Sequence, residues 1–357
     1  MELYEIFQAQ FPTPPTCNCV LEHVVNMKLE FRSAQITARG LYFHAIFTFN
    51  QVGQRALSPS CNWREIEMEP LAARQLCQEP HSLSQLVLVS GQVGYLAGSS
   101  GIQSTEQVVQ EISNLCSVIQ SPVDSKDWLG YLANNHGCRH RLRIFSLNPP
   151  PKASQTIQTI CLTEVLGHPE FRQEHRCRLG LKLASSVMQL HETQWLTNHW
   201  NKSDISFTRD STGRIDFNNP LIRRTFGSKT NTEPFLASRV PQIRADGSIP
   251  CLFSLGIVLL ELSYRQTFES LKDPKENLLP PEYADLVTGR RLVNSIDCSP
   301  NFKKVMKRCI SGLDPAFDSL AEDSLRDEVE EKIVQPLEED LKFYCDKDFV
   351  EDCLEGL

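Results

Sequence analysis

The sequence predicts an α+β protein with a strand-rich first part, which contains one helix, and a mainly helical second part. Runs rich in β-branched and aromatic residues precede residue 147, whereas helical periodicities follow residue 156. Three consecutive prolines at 149–151 lie between the two parts, and such a run continues neither a helix nor a strand. We therefore predict a Pro-rich hinge at 148–155 between regions 1–147 and 156–345.

Composition and charge restrict the class of protein. The chain has 357 residues, of which 41% are hydrophobic and 22% are charged, as in globular proteins. A formal net charge of -8 weighs against nucleic-acid binding, because that requires clusters of lysine and arginine. The first eleven residues lack the basic cluster and apolar core of a secretory signal. The 13 cysteines show no short-spaced framework and are typical of free thiols, so we expect a cytoplasmic location.

Five runs predict strands in the first region. They are rich in valine, phenylalanine, tyrosine and isoleucine, and they alternate partly between apolar and polar residues. Turn-forming residues separate them. These five predicted strands are residues 19–31, 41–50, 61–69, 128–133 and 139–147, and a further strand is predicted at 83–89, directly before the glycine-rich stretch.

A glycine-rich stretch and a helix are predicted between the third and fourth strands. The glycines of residues 90–101 follow neither the order of a P-loop nor that of a dinucleotide-binding loop, so we interpret the stretch as an ordinary turn region. Ser104 and Gln107 form a capping-box pattern, and apolar residues then recur at helical spacing. We predict a helix over 104–120.

Residues 250–268 (PCLFSLGIVLLELSYRQTF) are the strongest helical signal in the second region. A helix built from them has apolar side chains on nearly every face, so it must lie inside the protein. The apolar run is broken by Pro250, Ser254 and Glu261 before it reaches the ~18 residues of a membrane span. We predict a central buried helix and no transmembrane segment.

The remaining elements of the second region follow from periodicity and capping. Ser299 and Pro300 are typical of a helix start, and the apolar residues after them fit the helical period. The acidic segment 346–357 is expected to be a tail. Further predictions are helices at 157–166, 171–191, 300–310, 325–334 and 337–344, short strands at 204–207 and 214–217, and a long loop with short elements at 218–249.

Several segments resemble protein kinases. Residues 181–196 (LKLASSVMQLHETQWL) are similar to the helix that leads into the catalytic loop, and residues 306–315 (MKRCISGLDP) are similar to the segment that closes the C-lobe. The whole chain resembles a family of fungal kinase-like, or pseudokinase-like, domains through CNCVLEH, WLGYL, SLGIVLLEL and KRCISGLDP. The resemblance implies a bilobal protein-kinase-like fold, with a strand-rich N-lobe and a helical C-lobe. Members often carry a further N-terminal helical domain, which this chain is expected to lack.

The same resemblance suggests which residues would handle a nucleotide. The pieces DISF and RIDF are similar to the end of the catalytic loop and to the Asp-Phe-Gly strand, which places Asp204 and Asp216 at metal-binding positions. Two such carboxylates could hold Mg²⁺ together with ATP. The catalytic-base aspartate is replaced, and His199 is the nearest candidate proton acceptor.

Other kinase features are missing from the sequence. No lysine occurs between Lys28 and Lys126, so the phosphate-binding lysine of a kinase has no place there. Lys28 lies far before its would-be partner Glu111 and has no glycine-rich loop ahead of it, so we interpret it as a solvated strand residue. Cys251 replaces the carboxylate that supports the catalytic loop, and Asn218 replaces the glycine of the Asp-Phe-Gly equivalent.

Cys17, Cys19 and His23 form a candidate zinc-binding set near the N-terminus. A closed structural zinc site uses four ligands at tetrahedral positions, and no second close pair follows these three residues. The sequence therefore favours no metal at this place.

We interpret the sequence as a catalytically deficient kinase-like module that binds or regulates a protein partner inside a fungal cell. The alternative is an atypical phosphotransferase that uses ATP with Mg²⁺, with Asp216 and Asp204 as metal ligands and His199 as the base. The two classes differ in whether nucleotide binds at all.

Overall fold

An antiparallel sheet runs through both parts of the chain. The computed structural model describes residues 7, 23–31, 43–49, 62–70, 111–120, 128–133, 141–146, 157–190, 193, 195–197, 200–226, 249–313 and 323–344. Within these residues, eight strands form one sheet in the order β4-β5-β3-β2-β1-β8-β7-β6. The strands are β1 (His23–Lys28), β2 (Phe43–Phe49), β3 (Asn62–Pro70), β4 (Trp128–Ala133), β5 (Arg141–Ser146), β6 (Gln158–Cys161), β7 (Ile205–Arg209) and β8 (Leu221–Phe226).

The pairing of β1 with β8 joins the two regions. The strands are antiparallel, with His23 opposite Phe226 and Lys28 opposite Leu221, so the sheet continues from the first region into the second. Residues 148–155 lie outside the described residues, and the boundary there stays a prediction. The mixed α and β character of the chain is confirmed, whereas the bilobal kinase-like arrangement stays a prediction.

The helices lie mostly in the second region. Among the described helices, none combines the length and the apolar character that a transmembrane segment needs. The helices are α1 (Leu115–Gln120), α2 (Leu162–Val165), α3 (Gln173–Leu190), α4 (Pro250–Tyr264), α5 (Pro281–Ser295), α6 (Pro300–Ser311), α7 (Asp323–Val329) and α8 (Gln335–Tyr344), with a π-helical turn at Glu330–Val334 and 3₁₀ turns at Lys202–Asp204, Phe268–Leu271 and Glu276–Leu278.

Helix α4 is the buried central helix that the sequence predicts. It packs against α3, α5 and α6, and its leucines face protein on all sides, with Leu255, Leu259 and Leu260 fully buried. Its contact with α6 is close, because a Cβ atom at Gly256 would lie 2.9 Å from the Cβ of Cys309. The helix ends at Arg265, whose backbone is left-handed (φ 56°).

The start of α6 is also confirmed. The Ser299 hydroxyl accepts a hydrogen bond from the Phe302 amide (3.0 Å), which satisfies one of the free donors of the first turn. The helix ends at Gly312, which adopts a positive φ of 90°. Its buried residues are those of the predicted apolar stripe: Phe302, Val305, Met306, Cys309 and Ile310.

The helix predicted at 104–120 begins late. Residues 104–110 lie outside the described residues, and residues 111–114 are not helical, because the Ile112 amide donates to the carbonyl of Tyr131 (2.9 Å) and Glu111 forms a bridge with the same residue. Asn114 caps the helix instead, since its side chain accepts from the Ser117 amide (3.0 Å).

Two further predictions about the second region are wrong in part. The helix predicted at 157–166 begins only at Leu162, because Gln158–Cys161 pairs with β7 at the edge of the sheet. The strand predicted at 214–217 is reduced to a single bridge between Ile215 and Arg209. The long loop predicted at 218–249 was expected to contain short elements, and one of them is β8, which lies between β1 and β7. Pairing with a neighbouring strand decides which of these segments is a strand, and local periodicity does not show this pairing.

Candidate functional site

The segment Asp216–Pro220, which begins in the stretch that resembles the Asp-Phe-Gly strand, lies between helix α3 and the end of β1. The Lys182 Nζ donates to the Asn218 carbonyl (2.9 Å), and the Leu29 amide donates to the Pro220 carbonyl (2.9 Å). Arg178 donates to the Asn218 side-chain oxygen. The segment is therefore fixed from two sides, by a helix and by a strand.

Lys182 is a buried cation beside this segment. Its side chain is 1% exposed, and burial is the main reason that its pKa falls to about 8. Arg178 lowers the pKa further, whereas Glu30 and Asp216 raise it. A lysine from outside the interval between Lys28 and Lys126 therefore lies near Asp216, although its ammonium group donates to the Asn218 carbonyl. The sequence interpretation considered lysines only between Lys28 and Lys126. A lysine within the apolar run LGLKLAS could have indicated a buried cation, because lysines are rarely buried without a partner.

Asp204 and Asp216 are not brought together. Asp204 directly precedes β7, whereas the Asp216 amide donates to the carbonyl of Thr208 near the other end of that strand (2.9 Å). An extended strand rises about 3.3 Å per residue, so the two positions are separated by roughly 13 Å along β7. Mg²⁺ holds its oxygen ligands at about 2.1 Å, and this separation does not fit one shared ion.

The oxygens of both carboxylates already accept hydrogen bonds within the protein. Asp204 accepts from the Asn201 amide (2.9 Å) through one oxygen and from the Arg224 guanidinium through the other. Asp216 accepts from the Asn218 amide (3.1 Å) and from the Asn219 side-chain amide (2.7 Å). Asp204 thus caps a 3₁₀ turn, and Asp216 stabilises a tight turn.

The segment before β7 is attached to the central helix. His199 lies outside the described residues, but its neighbour Trp200 is buried and donates from its indole to the carbonyl of Cys251 (3.2 Å). Lys202 donates to the buried Glu261 carboxylate (2.7 Å). Burial is the main reason that the pKa of Glu261 is raised. Contacts with Cys251 and Glu261 of helix α4 therefore fix the segment before β7.

Lys28 is not a solvated residue. Its side chain is 23% exposed and forms an ion pair with Glu65 of strand β3, which β2 separates from β1. Glu111, its would-be kinase partner, instead accepts from the Tyr131 hydroxyl (3.4 Å). The sheet brings Lys28 and Glu65 together across the intervening strand β2. The sequence spacing of the two residues does not reveal this contact.

An open cleft of ≈ 460 Å³ lies beside Asp216. Arg172 and Arg214 line it, and neither guanidinium forms an ion pair with a described carboxylate. Glu170 and Asp210 also line the cleft, and Phe217 contributes an aromatic surface. Charges of both signs beside an aromatic ring suit a polar ligand with a flat or apolar part.

His175 is the titratable ring in this cleft. Its Nδ1 accepts from the Arg172 amide (3.2 Å), which assigns the proton of the neutral ring to Nε2. The ring stacks on Phe171 and lies 5.1 Å from the centre of Phe217. Burial is the main reason that the pKa of His175 is lowered, so the ring is neutral near pH 7 and carries its proton on Nε2.

The candidate zinc set is only partly described. Cys17 and Cys19 lie outside the described residues, while His23 begins β1 and is 4% exposed. Burial lowers the pKa of His23. Among the described side chains, no group of three or more histidine, cysteine, aspartate or glutamate residues could hold a metal ion. The Cys17, Cys19 and His23 set stays a prediction.

Comparisons with known proteins identify a family. A solved complex of Neurospora crassa PAN2 (WD40-CS1) with PAN3 (pseudokinase and C-term) is similar at 10% identity with a TM-score of 0.32, over 98% of this chain and 71% of that chain. None of the curated proteins compared with the chain matches it. The family model described as "Domain of unknown function (DUF7580)" matches residues 2–344. The chain therefore belongs to the DUF7580 family.

Proposed function

We propose that this protein is a kinase-like binding module without phosphotransfer activity. The observation that carries the proposal is the state of Asp204 and Asp216, whose oxygens accept hydrogen bonds inside the protein at opposite ends of β7. Phosphoryl transfer depends on metal ions that neutralise the phosphates, and on a lysine that contacts them. Lys28 and Lys182 are committed to Glu65 and to the Asn218 carbonyl.

Binding is the activity that remains for such a domain. The cleft beside Asp216 offers two arginines without an ion-pair partner among the described carboxylates, a neutral histidine with its proton on Nε2, and the ring of Phe217. The sequence resemblance of residues 181–196 to a kinase helix supports the kinase-like part of the proposal. The setting we propose, on the same resemblance, is the cytoplasm of a fungus, where the domain regulates a protein partner.

Thermal unfolding of the full chain with ATP and Mg²⁺ tests the proposal. A ligand that binds only the folded state raises the Tm with its concentration, so we expect no rise at nucleotide concentrations of about 1 to 5 mM. Phosphate transfer from ATP to the protein or to a generic substrate is measured in parallel, and none is expected.

Two variants separate the proposal from the rival phosphotransferase. Asp216→Ala removes a predicted metal ligand, and Asp210→Ala is the matched control, because Asp210 lines the same cleft but has no assigned role in metal binding. A nucleotide-dependent rise in Tm that Asp216→Ala abolishes and Asp210→Ala retains would overturn the proposal in favour of an ATP-dependent enzyme.

A further inference from the structure

Exposed apolar side chains are concentrated at the start of helix α5. Six large hydrophobic residues are exposed in the described part of the chain, and four of them lie within residues 278–287. These four, which we call the α5 strip, are Leu278 (85% exposed), Leu279 (41%), Tyr283 (56%) and Val287 (43%). Contiguous exposed apolar surface marks interaction sites more often than scattered residues do.

Hydrogen bonds to a buried carboxylate fix the two segments that carry the α5 strip. The buried Glu276 carboxylate accepts from the Arg291 guanidinium (2.7 and 2.8 Å) and from the Thr288 hydroxyl (2.7 Å). These bonds attach the 3₁₀ turn that carries Leu278 to the helix that carries Tyr283 and Val287. A surface that is ordered before binding loses little conformational entropy when a partner docks.

Positive charges stand at both ends of the strip. Arg290 is seven residues after Tyr283 and three after Val287, which places it on the same helical stripe. Lys275 lies one turn before Leu278. Among the described side chains, neither cation has a carboxylate partner. A segment that covers the strip would therefore gain from carboxylates near its two ends.

We propose that the α5 strip docks an amphipathic helix of a partner protein, with apolar residues on one face and glutamates or aspartates beside them. This inference rests on the proposed binding function and names its surface and partner class. The strip follows the face of a helix, and helices pack along one another through such stripes. An anionic membrane would also meet apolar and basic groups, but two cations on a chain of formal net charge -8 favour a protein segment.

Binding of labelled helical peptides to the full chain tests this inference by fluorescence anisotropy. The probe is a peptide of about 18 residues with leucines at i, i+4, i+7 and i+11, four glutamates beside them and alanines elsewhere, so that helix formation is not opposed by repeated like charges. We expect micromolar binding that weakens with salt. The same peptide with every glutamate replaced by lysine is expected to bind at least about tenfold more weakly.

Matched variants assign the binding to the strip. Tyr283→Asp and Arg290→Glu are expected to weaken binding at least about tenfold, since central aromatic and arginine residues dominate interfaces. Phe343→Asp is the apolar control, because Phe343 is 84% exposed on α8 outside the strip. Lys307→Glu on α6 is the charge control. Both controls are expected to bind as the wild type does.

Specific results would overturn the inference. Equal binding of the acidic and lysine peptides, absence of binding, or equal losses in Phe343→Asp and Tyr283→Asp would each reject it. Binding to anionic phospholipid vesicles, or self-association of the chain, would also reject the inference if Tyr283→Asp abolished it. Tighter peptide binding by Leu354→Asp would reject it too, because it would identify the C-terminal segment of this chain as the occupant of the strip. These failures leave the nucleotide test untouched, so the non-catalytic proposal fails or survives separately.

Discussion

Two buried contacts in this protein exclude water in different ways. Where α4 meets α6, apolar side chains fill the space, and the absence of a side chain at Gly256 lets the helices approach. Where the segment Asp216–Pro220 meets α3 and β1, the buried groups include the cation Lys182 and its carbonyl partner. The contact between α4 and α6 depends on the fit of apolar side chains, so a change in side-chain volume should destabilise it. The contact at Asp216–Pro220 depends on a hydrogen bond from a charged lysine, so a change in pH should affect its stability.

The largest expected effect breaks the apolar contact outright. Leu260→Asp places an unpaired charge in a fully buried position of α4, at a cost of several kcal/mol against a total stability of ~5–15 kcal/mol. We expect an insoluble protein, measured as the soluble fraction after expression. Leu278→Asp, at an exposed position, should remain soluble. A soluble Leu260→Asp protein that unfolds cooperatively would show that α4 is not central.

The polar contact should respond to pH through Lys182. Its pKa in the folded state is about 8, below the ordinary value of 10.5, so the unfolded chain binds more protons between these values. Stability relative to Lys182→Met should therefore rise with pH, by about 2 kcal/mol between about pH 7 and about pH 10.

Chemical denaturation at several pH values measures this difference. Lys307→Met, at an exposed position of α6, is the control and should show no such trend. A constant difference between wild type and Lys182→Met over this range would show that the buried lysine keeps its ordinary pKa.

A smaller effect tests the shape of the apolar contact. Gly256→Ala adds a Cβ 2.9 Å from Cys309 Cβ and 2.9 Å from Ile310 Cδ1, and the loss of stability should be about 1–3 kcal/mol. Gly167→Ala is the matched control, because nothing lies within 4 Å of its added Cβ. Thermal unfolding compares the two, and equal Tm values would mean that α4 and α6 are not in close contact.

The smallest expected effect is a second pH dependence with the opposite sign. The hydrogen bond from His44 to Glu30 is the main reason that the His44 pKa is raised, and the bond to Glu67 (3.0 Å) adds to it. A raised pKa stabilises the fold below the unfolded value of 6.5, and the gain is lost as pH rises through the folded value.

Comparison with His44→Gln measures the gain from His44. The wild type should be more stable than this variant by less than about 1 kcal/mol at about pH 5.5, and the difference should shrink by about pH 8. A difference that grows with pH would show that the imidazole is not charged in the folded protein.

The elements that the sequence predicted well are those that local rules determine. Helix α6 has a capping serine, a proline in its first turn and an apolar stripe, and all three features reappear in the structure. Helix α4 was predicted because its residues are apolar on every face. By contrast, the stretch 281–295 was not predicted as a helix, although prolines at its start are typical of a first turn. The α5 strip was missed with it.

The candidate site shows where sequence reasoning ends. Asp204 and Asp216 were assigned to metal-binding positions on the resemblance of their segments to kinases, but β7 separates them, and their partners come from Arg224 and from local turns. Lys28 was interpreted as solvated because it lies far from Glu111 in the sequence, and its partner Glu65, 37 residues away, was not foreseen. Spacing along the chain reports neighbours within one element, whereas ion pairs between strands depend on sheet order.

The sequence by itself determined the central apolar helix, the capped helix after it and most strands of the first region, because these follow from periodicity, capping and apolar runs. Only the tertiary structure decided that β8 joins β1 and that Lys182 lies beneath the segment at Asp216. Pairing of distant strands and burial of a charge depend on residues far along the chain, and a local sequence pattern does not identify those residues.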